Sequence, residues 1–314
     1  MGRLSYFTGA ASLLLGIVLK GAAETPPVPV LDSSGSRPAG MEKEKVFIDP
    51  RSGHLAVFDR YAELPAIIEL SRFTAPAITV KIVPEPAGLY RYEHILSNGI
   101  SAKQKAWNWM FENLVDAIQV GELPTGWSVT IPPAMARARR YPDGQGPITV
   151  RSLWFHAGVR GGVNQDMGVA PGQSIPGPVL RSRLKPGPIV VWVQGQSDIP
   201  RLRGEPDSDV VDIVASVRRS EYNYRQVITF GPKFARSADR RMIAGDFENV
   251  LELLIKQGTI GPTGQFATTF KVLMRDSTSR VLPSERFEAA RALATLPIES
   301  EMLVAAYLAL GVAE

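Results

Sequence analysis

Residues 89–112 read LYRYEHILSNGISAKQKAWNWMFE, and this stretch decides the fold class. In its first half Tyr90, Tyr92 and His94 alternate with Arg91 and Glu93; in its second, Trp107, Trp109 and Phe111 alternate, with Asn108 and Glu112 on the other parity. Successive side chains of a strand point to opposite faces, so each half puts its rings on one face and its polar groups on the other. Asn98 and Gly99 supply the turn between them. A ring face left in water is a platform for sugars, whereas a ring face turned inward is the core of a sandwich. Polar groups on the opposite face favour the core.

The same texture spreads outward. Short apolar or alternating runs punctuated by Gly, Pro, Asn and Asp predict strands over His54–Phe58, Ala77–Val83, Leu89–Leu96, Ala106–Glu112, Trp127–Ile131, Ile148–His156, Pro178–Arg183, Ile189–Gln194 and Tyr224–Phe230. Asp209–Val217 fits strand and helix equally. The texture changes after Arg241. Phe247, Val250, Leu251 and Leu254, then Phe266, Phe270, Leu273 and Met274, recur at helical spacing, and further helices are expected from Ser284 and from Ser300 behind Pro297. The expected class is mainly β with a helical C-terminal part: an antiparallel sandwich over residues 46–241 and a small four-helix segment over 242–314.

Ahead of the sandwich, the uncharged run Leu4–Leu19 lies between Arg3 and Lys20, with small residues at Gly21 and Ala23. Residues 1–23 thus have the layout of a signal peptide or an N-terminal membrane anchor. Sixteen helical residues rise about 24 Å, short of the roughly 30 Å hydrocarbon layer, so an anchor would be marginal. Residues 24–45 mix proline, serine, glycine and charge without an apolar period and are expected to form an extended tether.

Composition removes much chemistry. The 314 residues include no cysteine, which excludes disulfides, thiolate metal sites and a cysteine nucleophile. Charge is uneven. Residues 125–241 carry a net +8 against −3 for residues 24–124 and −3 for residues 242–314, and arginine supplies most of the excess. Guanidinium forks suit carboxylate or phosphate contacts at an interface. No nucleic-acid motif accompanies them, and an exported chain rarely meets nucleic acid.

Two stretches carry a family resemblance. Leu89–Asn98, followed by Gln104 and Trp107, and Ala170–Ile189, APGQSIPGPVLRSRLKPGPI, resemble the strand-and-turn patterns of uncharacterised exported bacterial proteins with an immunoglobulin-like β-sandwich. The tail, with Gln257, Gly258, Thr259 and Ile260 and then Gly264, is similar to a helical segment appended to such proteins. The resemblance covers about residues 75–195 and, more loosely, 246–310. It implies an immunoglobulin-like sandwich with a C-terminal helical segment and brings no activity with it. Pro178 stands where those proteins tend to place an aromatic residue, which puts strand pairing there in question.

Four groups of residues offer chemistry. Arg137, Arg139 and Arg140 follow Pro132 and Pro133 and precede the turn Pro142, Asp143, Gly144, so they are expected on a loop that projects charge toward a partner. Trp107, Trp109 and Phe111 would be the glycan-binding ladder if exposed. Glu205, Asp207, Asp209 and Asp212 offer the oxygen ligands calcium prefers, in a proline-led loop lacking the glycine and distal glutamate of an EF-hand. His54, His94 and His156, the only histidines, fall on three expected strands, each read as an ordinary strand residue before a joint metal site. Neither a nucleophile elbow nor a phosphate loop nor a dinucleotide fingerprint occurs. The resulting expectation is a non-catalytic, exported protein, periplasmic or extracellular, that needs no cofactor. It would act as a binding scaffold or accessory subunit for another envelope or membrane protein, touching the membrane only through residues 4–19 if these are retained. Alternatives are a secreted carbohydrate-binding module and a hydrolase with paired carboxylates.

Fusing residues 1–45 to a reporter active only after export should give signal; a silent, normally expressed fusion would remove the basis for an exported protein.

Overall fold

The alternation over residues 89–112 is realised as two strands in different sheets. The computed structural model describes residues 26–58, 65–114, 119–130, 137–139, 148–157, 168–197 and 208–311. Strands β1 (Val46–Ile48), β2 (Leu55–Val57) and β3 (Ala66–Ile68) form a small sheet. A four-stranded sheet runs in the order β4 (Pro76–Glu85), β5 (Leu89–Asn98), β11 (Gln173–Ser182) and β7 (Gln119–Val120). The largest sheet runs β13 (Arg225–Phe234), β12 (Lys185–Gly195), β6 (Ala106–Leu114), β10 (Ile148–Ala157) and β8 (Trp127–Thr130), with β9 (Arg137–Arg139) beside β10. Every ladder between these strands is antiparallel. Each of the nine expected strands is present.

The chain crosses from the four-stranded to the six-stranded sheet between β5 and β6, and a buried amide fixes the crossing. Asn98 Oδ1 accepts from the Ala75 N–H at 3.0 Å, while Nδ2 donates to the carbonyls of Gln104 at 2.8 Å and Val169 at 2.9 Å. A buried amide with these bonds made holds three segments in one place; the same amide unpaired would cost about 1–3 kcal/mol.

The two larger sheets face each other across one apolar core. Ile78, Val80, Tyr92, Leu96 and Leu180 meet Trp109, Phe111, Phe155, Val191, Val193 and Phe230. Pro178 is accommodated by a bulge, because the β11–β5 register shifts between Pro176 and Val179. The bulged Pro178 carbonyl accepts from His94 Nδ1 at 2.9 Å, and His94 lies edge-on to Phe111 at 5.0 Å. Burial lowers its pKa to about 4, so the imidazole is neutral.

Five helices complete the fold, most of them C-terminal. The ambiguous segment is helix α1 (Ser208–Arg219), whose Val210, Val214 and Val217 pack on the three-stranded sheet. Then come α2 (Arg240–Lys256), α3 (Gln265–Ser277), α4 (Ser284–Arg291) and α5 (Pro297–Leu310). Two expectations need correction. The boundary at 241/242 falls inside α2, which starts behind its cap: Asp239 accepts from the Arg241 N–H at 2.7 Å. The core also crosses that boundary without a break, since Phe247, Leu251, Phe270, Met302 and Leu303 belong to the same cluster as the sandwich interior. Nor is the stretch before residue 46 wholly a tether. Val30 bridges Ile48, and Leu31 is buried beside Phe47 and Ala56. Residues 1–23 lie outside the described residues, and no helix among the described residues is long and apolar enough to cross a membrane.

Helix α5 covers one side of the sandwich. It packs on β12, β4 and β13, where β4 and β13 are the edges of their sheets and touch each other. Pro297 opens the helix, Gly311 in the left-handed conformation (φ 62°) ends it, and the small Ala305, Ala306 and Ala309 are buried along it. Glu301 reaches the open edge of β4, where Oε1 accepts from the Val80 N–H at 3.0 Å. Its Oε2 is buried without a partner among the described residues, and burial pushes the pKa up to about 8.

Glu301 and His94 give the stability profile two limbs. Between pH 4.5 and about 8 the folded state holds a proton on Glu301 that the unfolded state has released, so stability falls as pH rises through that window. Between pH 6.5 and about 4 the unfolded state takes up a proton that buried His94 refuses, so stability falls as pH drops. Glu301→Gln should match the wild type at pH 4.5 and below, where both states of the wild type hold the proton, and should flatten the fall above that pH by a few kcal/mol, on the order of 1.4 kcal/mol per pKa unit. Denaturant titrations across pH read this directly, and an unchanged limb in the variant would show that Glu301 does not govern it.

Candidate functional site

The structure disperses the groups that the sequence brings forward. Trp109 and Phe111 are fully buried in the sandwich core, and Trp107 is half-buried with its indole N–H donating to the Gly195 carbonyl at 3.0 Å. The aromatic alternation is therefore a core face, and no glycan ladder forms. Asp209 and Asp212 lie on α1, where Asp209 pairs with Lys45 at 3.4 Å, so they do not share the expected loop; Glu205 and Asp207 lie outside the described residues. The histidines are kept apart by separate local partners. His54 Nδ1 accepts from the Leu70 N–H, His94 is held by Pro178, and His156 meets the Ser128 hydroxyl. Among the described residues no three His, Asp or Glu gather as metal ligands. The carboxylates Asp49, Glu299 and Glu301 are each engaged singly, with Arg51 and Ser52, with Thr295, and with Val80 respectively.

Arg137 and Arg139 are on strand β9, paired with Val150 and Ile148, rather than on a projecting loop. Two alternating arginines give no strand signal of their own, and β10 supplies the pairing. Arg140 lies outside the described residues.

Other cations do converge, at the end of the sandwich where β4 turns into β5 and β11 into β12. Lys185 opens β12 and is in register with Phe234, the last residue of β13. Two residues on, Arg236 donates through Nη2 to the carbonyls of Ala87 at 3.1 Å and Gly88 at 2.9 Å. Arg240 then opens α2. Across from them Tyr92 donates to the Leu184 carbonyl at 2.9 Å, which ties the β11–β12 turn to β5 and brings half-buried Tyr90 to the same end.

This end is built for its arginine. Ala87 adopts φ 60°, the one non-glycine residue among the described residues with positive φ, and Gly88 follows at φ 66°. Consecutive left-handed residues turn both carbonyls onto one guanidinium, at a strain cost of about 1 kcal/mol for alanine. A Cβ on Gly88 would displace the exposed, flexible tip of Arg236, so the positive φ more than the space calls for glycine there.

The charges are not neutralised locally. Burial, followed by the nearby Arg240 and Arg236, lowers the pKa of the Lys185 ammonium. The adjacent acids are committed elsewhere: Glu85 binds Arg91 at 3.0 Å and Arg181 at 3.5 Å, and Asp239 caps α2. Among the described residues Lys185 and Arg240 have no carboxylate partner. Burial raises the pKa of the Tyr90 phenol while Arg236 opposes the shift, which places the phenol within the field of the arginine. Sequence reasoning counted these cations only within the basic excess of residues 125–241, since the register of β12 with β13 is what brings Lys185 to the end where Arg236 lies. The one local signal was Ala87–Gly88 directly after Pro86.

No protein-family model matches the chain, and no curated protein matches it. Among solved structures, the chain is similar to an uncharacterized protein from Nocardia farcinica with an immunoglobulin-like fold. The identity is 14%, the match covers 48% of this chain and 95% of that one, and the TM-score is 0.25.

Gly88→Ala should destabilise the protein by more than Gly258→Ala. Both glycines have positive φ, at 66° and 72°, but an added Cβ meets Arg236 at the first and open space at the second. The shared backbone cost is about 1 kcal/mol. Urea denaturation of the two variants isolates the arginine contact as the difference, and equal losses would mean that Arg236 is not held by this turn.

Proposed function

We propose that the protein is an exported, non-catalytic binding protein of the cell envelope, a scaffold or accessory subunit that docks another envelope or membrane protein through its sandwich. The observation that carries this reading is the basic end, where the charges of Arg236 and Arg240 act on Lys185 and no carboxylate among the described residues pairs with any of the three. Like charges gathered by a fold weaken it, and an acidic partner relieves the repulsion. The signal-like layout of residues 1–23 supports placement outside the cytoplasm. Arg137 and Arg139, on a strand at the margin of the six-stranded sheet, form with Arg140 a second candidate contact.

Lys185 and Arg240 replaced by serine together should leave stability within about 0.5 kcal/mol of the wild type, as for surface residues without a carboxylate partner. The same change should weaken capture of the partner from solubilised native envelopes by about tenfold or more, and the deficit should shrink as salt is raised. Serine replacement of Arg137, Arg139 and Arg140 is scored separately by mass spectrometry of the captured material. Identical capture by wild type and both variants across the salt series would end this account of docking.

A further inference from the structure

The six-stranded sheet turns a second side away from the core. Val193, Trp109 and Phe155 stand in one register row across β12, β6 and β10 and belong to the sandwich interior. Side chains alternate along a strand, so the rows on either side of this one face outward. One outward row is polar across four strands: Gln194 is in register with Asn108, Asn108 with His156, and His156 with Ser128. The other holds Trp192, in register with Gln226 on β13 and with Met110 on β6. Trp192 and Gln194 are neighbours on one face of β12, which sets an indole beside the polar row.

Side-chain contacts tie the row together. Asn108 Nδ2 donates to Gln194 Oε1 at 3.1 Å, and Ser128 Oγ lies 3.2 Å from both ring nitrogens of His156. The Trp192 ring meets Tyr224 edge-on at 6.3 Å. Gln194, His156, Ser128 and Trp192 are half-buried, whereas Asn108 in the middle is only 5% exposed. Its Oδ1 is buried with no partner among the described residues. A carbonyl left so costs about 1–3 kcal/mol, and a face that only had to fold would carry an apolar side chain there, as it does at buried Met110 one row away. None of these side chains is charged: they are amides, a hydroxyl, an indole and an imidazole whose pKa burial lowers. Such a set is poorly matched to a carboxylate or a phosphate. It fits a ring with hydroxyls on its rim and C–H groups on its face, since amides both donate to and accept from hydroxyls and an indole offers a flat apolar surface.

We propose that Gln194, Asn108, His156, Ser128 and Trp192 form a binding site for a neutral saccharide, with Trp192 as the apolar platform and rotation of the Gln194 side chain admitting a sugar hydroxyl to the Asn108 carbonyl. The site lies on the side of the sheet opposite the core rings Trp109 and Phe111. It uses no residue of the basic end, so either reading can fail alone.

Calorimetric titration of the full chain with cellohexaose, maltohexaose and chitohexaose should show saturable binding of at least one. Hexagalacturonate, which puts carboxylates on a similar ring, should bind at least tenfold more weakly. Trp192→Ala and Gln194→Ala should each weaken binding by about tenfold. Ile95→Ser, at an exposed residue on the outer face of the other sheet, should leave it unchanged. Asn108→Leu separates a binding amide from a structural one: it should melt no lower than the wild type in the absence of sugar, because an unpaired buried carbonyl is removed, and yet bind at least tenfold more weakly. The site is overturned by the absence of saturable binding to all three neutral sugars, by binding untouched in Trp192→Ala and Gln194→Ala, or by hexagalacturonate bound as tightly as the neutral sugars. It is equally overturned if Asn108→Leu melts lower than the wild type but binds as well.

Discussion

A two-sheet sandwich has edges, and on one side of this one the edges β4 and β13 meet. Each would present unpaired backbone donors and acceptors to water and to other chains. Helix α5 lies along that seam and sends Glu301 to the Val80 N–H. Much else is arranged around this closure. The alanines of α5 allow a close approach, α2 and α3 support the helix from behind, and one apolar cluster runs from the sandwich through the helices. A buried carboxyl is a costly way to satisfy one backbone donor. It stays tolerable because the group remains protonated at neutral pH, its pKa pushed up to about 8.

The opposite principle governs the basic end. There the fold places like charges together with no carboxylate partner among the described residues, and a left-handed Ala87–Gly88 turn aims two carbonyls at one guanidinium. Folding alone gives no reason for that expense. Structural cations elsewhere in the chain show the contrast: Arg91 is held between Glu85 at 3.0 Å and Glu93, and Lys233 pairs with Asp246 at 2.7 Å. Strain and uncompensated charge in one place are the usual marks of a site that is completed by something else.

The long strands were legible because their information is local. Alternation over Leu89–Asn98 names both the element and its buried face, as does helical spacing from Phe247 onward; over Ala106–Leu114 it names the element and its core rings, while Asn108 and Met110 on the expected polar face are buried as well. Strands of two or three residues, such as Val46–Ile48, Ala66–Ile68 and Gln119–Val120, have no period to detect and exist because a neighbour pairs them. Helix α1 stayed ambiguous since its valines and isoleucine fit both templates, and packing on the small sheet chose between them. The start of α2 was read late because Gly245 and Asp246 separate Met242 and buried Ile243 in its first turn from the run that begins at Phe247. The site was nearly invisible for a different reason. Lys185, Arg236 and Tyr90 are far apart in sequence, and an ammonium, a guanidinium and a phenol carry no motif until strand register makes them neighbours.

The small sheet holds a consequence for how the chain comes to be folded. Its strands span residues 46–68, yet the helix that covers Ile48, Leu55 and Val57 lies at residues 208–219. At ordinary synthesis rates the gap of about 150 residues leaves that apolar surface uncovered for roughly 8 to 30 s. Sealing the seam over β4 waits longer still, until α5 has been made. The nascent protein therefore spends about two fifths of its synthesis, from the completion of β4 to that of α1, with two sticky surfaces open at once. Its yield in a cell should depend on holding factors more steeply than that of a sandwich whose partners follow each other along the chain.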